Sequence, residues 1–443
     1  MRGHLVQKTI RFVLYYATFV IGISVLMTGN AAAVPSYAEQ TGQPCASCHV
    51  GGFGPQLTPF GRAFKLSGYT IRSSEFAVPV SAMAVFSFVH TSKDQAEPPA
   101  PHYSTNDNGG LDEASIFLAG GIGDHFGGFA QFTYDGVGRA FSWDNLDLRA
   151  TNRFTIWGND VMVGLSVNNN PSIQDVWNTL PGWGFPYTGT DLAPSPGAAT
   201  VVNGGLETSV LGTSAYAWWN SEIYTEAGLY WTPSHGFLSS LGASADSVIG
   251  GSAPYVRLAY QKDYGLQNFE IGVFGFFPHL YPGGDKSAGT SDKYQDLGVD
   301  ASYQFMGDGS NIYQLNARYT NERQNLDATF ILGGAANRRD TLNEFRIDGS
   351  YYWHNQIGGS AGYFATSGST DGLLYADNAG AKPDSNGFTL QADYTPFGDA
   401  PSSLGFRFNV RLGVQYTAYT RFDGASSHAS DNNTLRLFAW FAF

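Results

Sequence analysis

Cysteine is scarce. Two residues of this type in 443 could form at most one disulfide, too few for a disulfide scaffold. Positive charge is scarce as well: 24 Lys and Arg stand against 37 Asp and Glu, a net charge of −13, so no basic face is on offer for nucleic acid. After residue 33 the chain has no continuous apolar run of the ~20 residues that a transmembrane helix requires. No His or Cys cluster marks a stable iron site. What is plentiful is glycine (55), tyrosine (25) and phenylalanine (32). A mean hydropathy of −0.17 suits a soluble globule, and equally a membrane barrel in which half of the strand residues face water.

The first 33 residues read as an export signal. Arg2, Lys8 and Arg11 give a positive start, the apolar run 12–27 follows, and Ala31-Ala32-Ala33 supplies a small-residue cleavage site, so the mature chain is expected to begin near Val34. The other reading is an uncleaved anchor. The apolar stretch is short for a spanning helix, and the cleavage site follows it directly.

From residue 77 to 443 the pattern has a period of two, which places successive side chains on opposite sides of a sheet. In 344–354, Phe345, Ile347, Gly349, Tyr351 and Trp353 oppose Glu344, Arg346, Asp348, Ser350 and His354. The stretches 313–322 and 406–417 split in the same way. A sandwich would bury the aromatic faces against each other, whereas a membrane barrel turns them outward. The connections favour the barrel, because tight turns (123–126, 158–160, 265–267, 307–310, 355–356) alternate with long polar stretches (92–110, 168–207, 234–251, 376–386). Short periplasmic turns and long outer loops are the outer-membrane arrangement. The expected fold is therefore all-β: an antiparallel outer-membrane barrel of about 16 strands in a Gram-negative bacterium. Its first strand is 77–91, its last 434–443, and its lumen is wide enough for a plug.

Both cysteines lie in Cys45-Ala46-Ser47-Cys48-His49, the C-x-x-C-H pattern of covalent c-type haem attachment. A disulfide would close too small a loop to restrain the unfolded chain much, and no thioredoxin-like βαβ pattern surrounds it. One haem c, bound through Cys45 and Cys48 with His49 as proximal iron ligand, is expected. Segment 34–76 is too short for a core of its own, and a covalent cofactor would staple it. Gly51, Gly52 and Gly54 would let the backbone approach a flat macrocycle. Thr58-Pro59 reads as a helix start. Phe60 and Phe64, four apart, are candidates to cover the haem, and Arg62 and Lys65 are candidates to pair with its propionates; a short amphipathic helix packed on the wall is the plainer reading. No second axial ligand is local. Met83, turned to the lumen with Ser81 and Ser87, is the distal candidate, beside Met162, Met306 and His125, and an open iron is the alternative.

Pro35-Ser36-Tyr37-Ala38 with Gln40-Thr41-Gly42, the Cys45–His49 motif, and Leu57-Thr58-Pro59-Phe60-Gly61-Arg62 through Phe64-Lys65-Leu66-Ser67-Gly68-Tyr69 together resemble the fused outer-membrane monohaem cytochrome–porins. Asn168-Asn169-Asn170-Pro171 and Gln174-Asp175-Val176-Trp177-Asn178-Thr179 are similar to the large loop of such proteins. The resemblance implies a single chain with an N-terminal haem segment inside a porin barrel. It would pass electrons from an extracellular reductant such as Fe(II) to a periplasmic cytochrome or copper protein, as Fe(II):cytochrome c oxidoreductases do. Close likeness covers only the N-terminal segment.

The residues also leave a rival class open. Arg149, Arg153, Arg257, Arg318, Arg346, Arg407 and Arg411 are placed toward the lumen, where arginines select anions. A solute porin with the haem segment as plug or redox gate is the alternative function. The same arginines could instead pair with Asp300, Glu344 and Asp348 and steady the wall. Segment 168–207, with Trp177, Trp183 and Phe185, could fold inward as a constriction or lie outside. Asp107, Asp112 and Glu113 flank the first outer loop and could attract cations, or be ordinary solvated charges. An oxidoreductase acting on a small molecule at an open iron has no specific support in the residues.

Overall fold

The computed structural model describes residues 36–73, 79–307, 309–400, 402, 405 and 408–443; the expected signal, residues 1–33, lies outside them, as do Ala77 and Arg407. Sixteen long strands run from Val80–Thr91 to Thr434–Ala442, each antiparallel to its neighbours in the chain, and the first pairs with the last. At that seam Met83 lies opposite Ala442 and Thr91 opposite Thr434. Phe443 continues the ladder, exchanging backbone hydrogen bonds of 2.7 and 2.8 Å with Ala82. Closure leaves no unpaired edge. Two short strands, Ser247–Ile249 and His279–Pro282, pair with each other in the loops.

The two faces sort as the alternation requires. In Arg339–Trp353, Asp340, Glu344, Asp348, Ser350 and Tyr352 are buried inside, while Phe345, Tyr351 and Trp353 are exposed outside. Leu118, Leu258, Ile271, Val299 and Leu390 continue this apolar outer face around the wall. Polar inside and apolar outside is the inverse of a soluble protein and fits lipid contact. On the last strand Phe441 also points out, yet it is only 8% exposed, because Phe397, Phe408 and Phe443 pack around it.

One end of the barrel has tight turns, several with left-handed residues such as Asn220-Ser221 and His354-Asn355, the backbone that two-residue hairpins demand. The opposite end carries the long loops. By that asymmetry the first is the periplasmic end and the second the outer end. Two connections depart from the rule: 136–139 is short at the outer end, and 395–408 is long at the periplasmic end.

The lumen is filled. Three short helices, α1 (Ser36–Thr41), α2 (Cys45–Cys48) and α3 (Pro59–Leu66), lie inside it, together with the 168–207 loop, which folds inward: Ile173, Val176, Trp177 and Leu180 are all buried. The apolar clusters join these inserts to the wall. Leu66 meets Met162, Trp177, Tyr216 and Tyr224. Phe64 and Tyr69 meet Phe129 and Ile173, and Val50 meets Ile312 and Tyr352. Full burial of a Leu or Val side chain is worth about 1.5–3 kcal/mol, so a segment too small to fold alone is held by the barrel.

Candidate functional site

The cysteine segment is built from two helices pressed together. Pro44, extended at φ −65° and ψ 157°, starts α2, and the His49 N–H donates to the Cys45 carbonyl at 2.8 Å. His49 itself is extended and forms a bridge with Leu57. Thr58 caps α3, its Oγ1 accepting from the Gly61 N–H at 3.1 Å, and its own N–H donates to the Cys48 carbonyl at 2.9 Å. A Cβ at Gly61 would sit 2.2 Å from that carbonyl, so only glycine lets α3 lie on α2. Gly52 and Gly54 line the cavity that holds the cysteines, and Gly51 and Gly52 also meet the wall. Their added Cβ atoms would strike Tyr352 and Gly398, so they let the segment lie against the barrel wall.

Cys45, Cys48 and His49 line a cavity of about 420 Å³, within the ~300–1,000 Å³ of ordinary ligand and cofactor sites. Aromatic rings form much of its wall: Phe53 and Phe64 from the segment, Phe117, Phe129 and Trp440 from the barrel, and Trp183 from the inner loop. Tyr37, Phe64 and Tyr69 pack ring to ring at 4.9–5.6 Å. Gln43 at the periplasmic side and Gly182 and Gly189 of the inner loop are exposed and line the same cavity.

Its electrostatics favour neutral donors. Both thiols are free. Burial pushes Cys48 up to about 12, and raises Cys45 as well, so neither is poised as a thiolate nucleophile. Burial and the Arg411 guanidinium push His49 down to about 4, which keeps the imidazole neutral, the form that ligates a metal. His49 Nδ1 is buried and makes no hydrogen bond of good geometry, with the Gly54 and Gln56 backbones the polar groups that pull its value up. A neutral imidazole beside two thiols in one buried cavity fits a covalently attached haem. Among the described residues no group of three or more His, Cys, Asp or Glu could hold a bare metal ion.

The other candidates are only partly gathered here. Phe64 lines the cavity; Phe60 is 36% exposed and does not. Lys65 lines it, but its Nζ donates to the Ile173 and Asp175 carbonyls at 2.6 and 2.9 Å, tying α3 to the inner loop. Arg62 lies outside the lining and donates to Gln304 and the Leu57 carbonyl. These contacts tie α3 to the inner loop and the wall. Met83 lines the cavity. Met162 is buried near Leu66 and Met306 packs on Val50, Ile312 and Tyr352. His125 meets the Thr151 carbonyl at a periplasmic turn.

Two breaks in alternation bring carboxylates to the outer half of the cavity. The ladder slips beside Asp112, where Val85 faces Glu113 and Phe86 faces Leu111. It slips again where Ala130 faces Leu146 and Phe132 faces Trp143. Such bulges re-aim side chains, and Glu113, Asp144 and Asn145 all line the cavity. Asp112 instead pairs with Arg436 at 2.8 Å, an arginine that sequence reading passed over. Asp107 meets His90 on an exposed loop. The Trp440 wall was also unforeseen, although inward parity on the last strand marks it, and Trp183 comes in with the inward course that was one of the two readings of 168–207.

The lumenal arginines are occupied. Arg257 lies 2.7 Å from Asp300, 3.3 Å from Asp175 and 3.5 Å from Glu270. Arg318 pairs with Glu344 at 3.6 Å, and Arg149 with Asp147 at 2.9 Å. Arg346 donates to the Phe185 carbonyl and Arg411 to that of Gly51. Arg153 is at the periplasmic rim with Asp160, 60% exposed. These arginines steady the wall, the segment and the inner loop.

No protein-family model matches the chain, and no curated protein matches it. Solved structures do. OprB of Pseudomonas putida is similar at a TM-score of 0.50 and 10% identity, over 82% of this chain and 92% of that one. The outer membrane channel DcaP of Acinetobacter baumannii gives 0.47 and 12%, over 83% and 97%. An anion-selective porin from Comamonas acidovorans gives 0.44 and 11%, over 82% and 98%. At such identities the OprB likeness is one of fold. With the closed sheet and its apolar outer face, the chain is a porin-like β-barrel of the Gram-negative outer membrane.

Proposed function

We propose that this barrel carries electrons across the outer membrane through one c-type haem bound by Cys45, Cys48 and His49, from an extracellular reductant, Fe(II) foremost, to a periplasmic cytochrome or copper protein. The observation that carries the reading is the placement of the C-x-x-C-H segment: inside the lumen, on one wall of an aromatic cavity with exposed residues toward both ends. Bound there, haem supplies one-electron chemistry. The chain supplies the rest. Cys45 and Cys48 fix the position, neutral His49 offers its nitrogen, and the rings of Phe64, Phe117, Phe129 and Trp440 exclude water. The inward loop and α3 occupy the lumen, and oxidation at the outer side would keep the product of an outer reductant outside.

Mass measurement of the exported chain should show two thioether-linked additions at the cysteines. Stopped-flow mixing with Fe(II) should reduce the haem absorbance band rapidly. Unmodified thiols would overturn the proposal.

A second reading has the porin likeness behind it: a solute channel in which 36–73 acts as a plug. It requires the segment or the inner loop to move, and steady anion conductance in planar bilayers with an unreactive haem would favour it.

A further inference from the structure

We propose that Met83 is the distal ligand of the haem iron. The inference rests on the haem reading above and adds the second axial group. Among the described residues Met83 is the one methionine that shares the cavity with Cys45, Cys48 and His49. Its strand turns Ser81, Val85 and Ser87 to the interior, where all are buried, and Met83 shares their parity.

The thioether is held by a donor. Trp440 Nε1–H donates to Met83 Sδ at 3.4 Å, which engages one of the sulfur's two lone pairs. Trp440 is in turn held edge-on by Phe53, with ring centroids 5.0 Å apart at 81°. Phe53 follows His49 by four residues, so the segment that offers the proximal nitrogen also orients the group that orients the sulfur. Outer partners of this kind are a regular part of metal sites.

The other cavity donors are committed elsewhere. Lys65 is held by two carbonyls, Tyr69 by Asp147 at 2.7 Å, Tyr37 by the Gly128 carbonyl at 2.9 Å, and Asn409 by the Gly52 carbonyl at 3.0 Å. Glu113 accepts no hydrogen bond from a described residue and is the competing ligand. Its hard oxygen suits iron–porphyrin less well than the thioether, and His/Met ligation raises the reduction potential, which an acceptor for electrons from Fe(II) needs.

The test uses the full chain purified in detergent. The ferric protein should show the thioether-to-iron charge-transfer band; Met83→Leu should lose it and lower the reduction potential, while Met306→Leu should leave both unchanged. In wild-type ferrous protein labelled at methionine methyls, one resonance should move far upfield by the porphyrin ring current, a readout that needs no variant. Retention of the band in Met83→Leu, its loss in Glu113→Gln instead, or no shifted methyl would overturn the proposal. A wild-type chain with unmodified cysteines would overturn the haem reading itself, and mass measurement distinguishes that failure from the others.

Discussion

Lys65 gives a pH dependence whose sign and size follow from its surroundings. Its ammonium is buried between α3 and the inner loop, and that burial pushes it from an ordinary value of 10.5 down to about 7, against the opposing pull of Asp147. A lysine whose folded value is depressed contributes stability that is fully present above the unfolded value and is lost as pH falls to the folded one. The window is therefore pH 10.5 down to about 7. Within it the unfolded chain binds a proton that the folded chain lacks, and the slope is about 1.4 kcal/mol per pH unit. Lys65→Met removes the titration along with the two hydrogen bonds to Ile173 and Asp175. The stability difference between wild type and Lys65→Met, from urea unfolding followed by tryptophan fluorescence in detergent, should be flat from pH 5 to 6. It should then grow in favour of wild type by roughly 2.3 kcal/mol between pH 7 and 9, the slope being half its full value at pH 7. Taking the difference cancels every group the two proteins share. A difference that does not change from pH 6 to 9 would refute the reasoning, for it would mean that Lys65 keeps its charge or that the contact forms in water.

Three further outcomes are expected. Asp175 accepts from the Trp177, Thr179 and Leu180 N–H groups and lies beside Arg257; Asp175→Ala should cost about 3–5 kcal/mol, and limited proteolysis should cut the inner loop while bilayer conductance rises. Gly61→Val should drive α3 off α2 at a cost of about 1–3 kcal/mol, seen as a smaller haem-bearing fraction by mass with the barrel's heat-modifiable gel mobility retained. Tyr69→Phe removes a 2.7 Å donation to Asp147 and should lower the unfolding free energy by about 1–3 kcal/mol, with no change in the outer wall's resistance to protease.

Much of the barrel was legible because lipid outside and water inside impose a strict alternation that charge makes visible, as in Glu344 to Trp353. The seam was legible too, since strand parity alone turns Met83 inward. The interior was harder. Phe60 and Phe64 are four apart on one short helix, yet only Phe64 reaches the cavity. Spacing gives a shared face without saying how far along it the contact runs. The protein acceptors of Arg62 and Lys65, Gln304 and the carbonyls of the inner loop, could not be read, because they are far away in the chain or in backbone that carries no sequence signal. The inward course of 168–207 could not be read, since buried and exposed loops share a polar, proline- and glycine-rich composition. The bulge at Asp112 was readable in principle: two consecutive carboxylates interrupt a period of two.

Because the sheet closes by joining its first strand to its last, Met83 on one and Trp440 and Ala442 on the other bound the cavity from either side of a single seam. No open-sheet assembly intermediate contains that wall. The 36–73 segment precedes every strand in the chain, yet its chamber is finished only by the final one. The chamber's wall is therefore whole only in the closed cylinder, and a change that opens the seam would breach the site as well as the barrel.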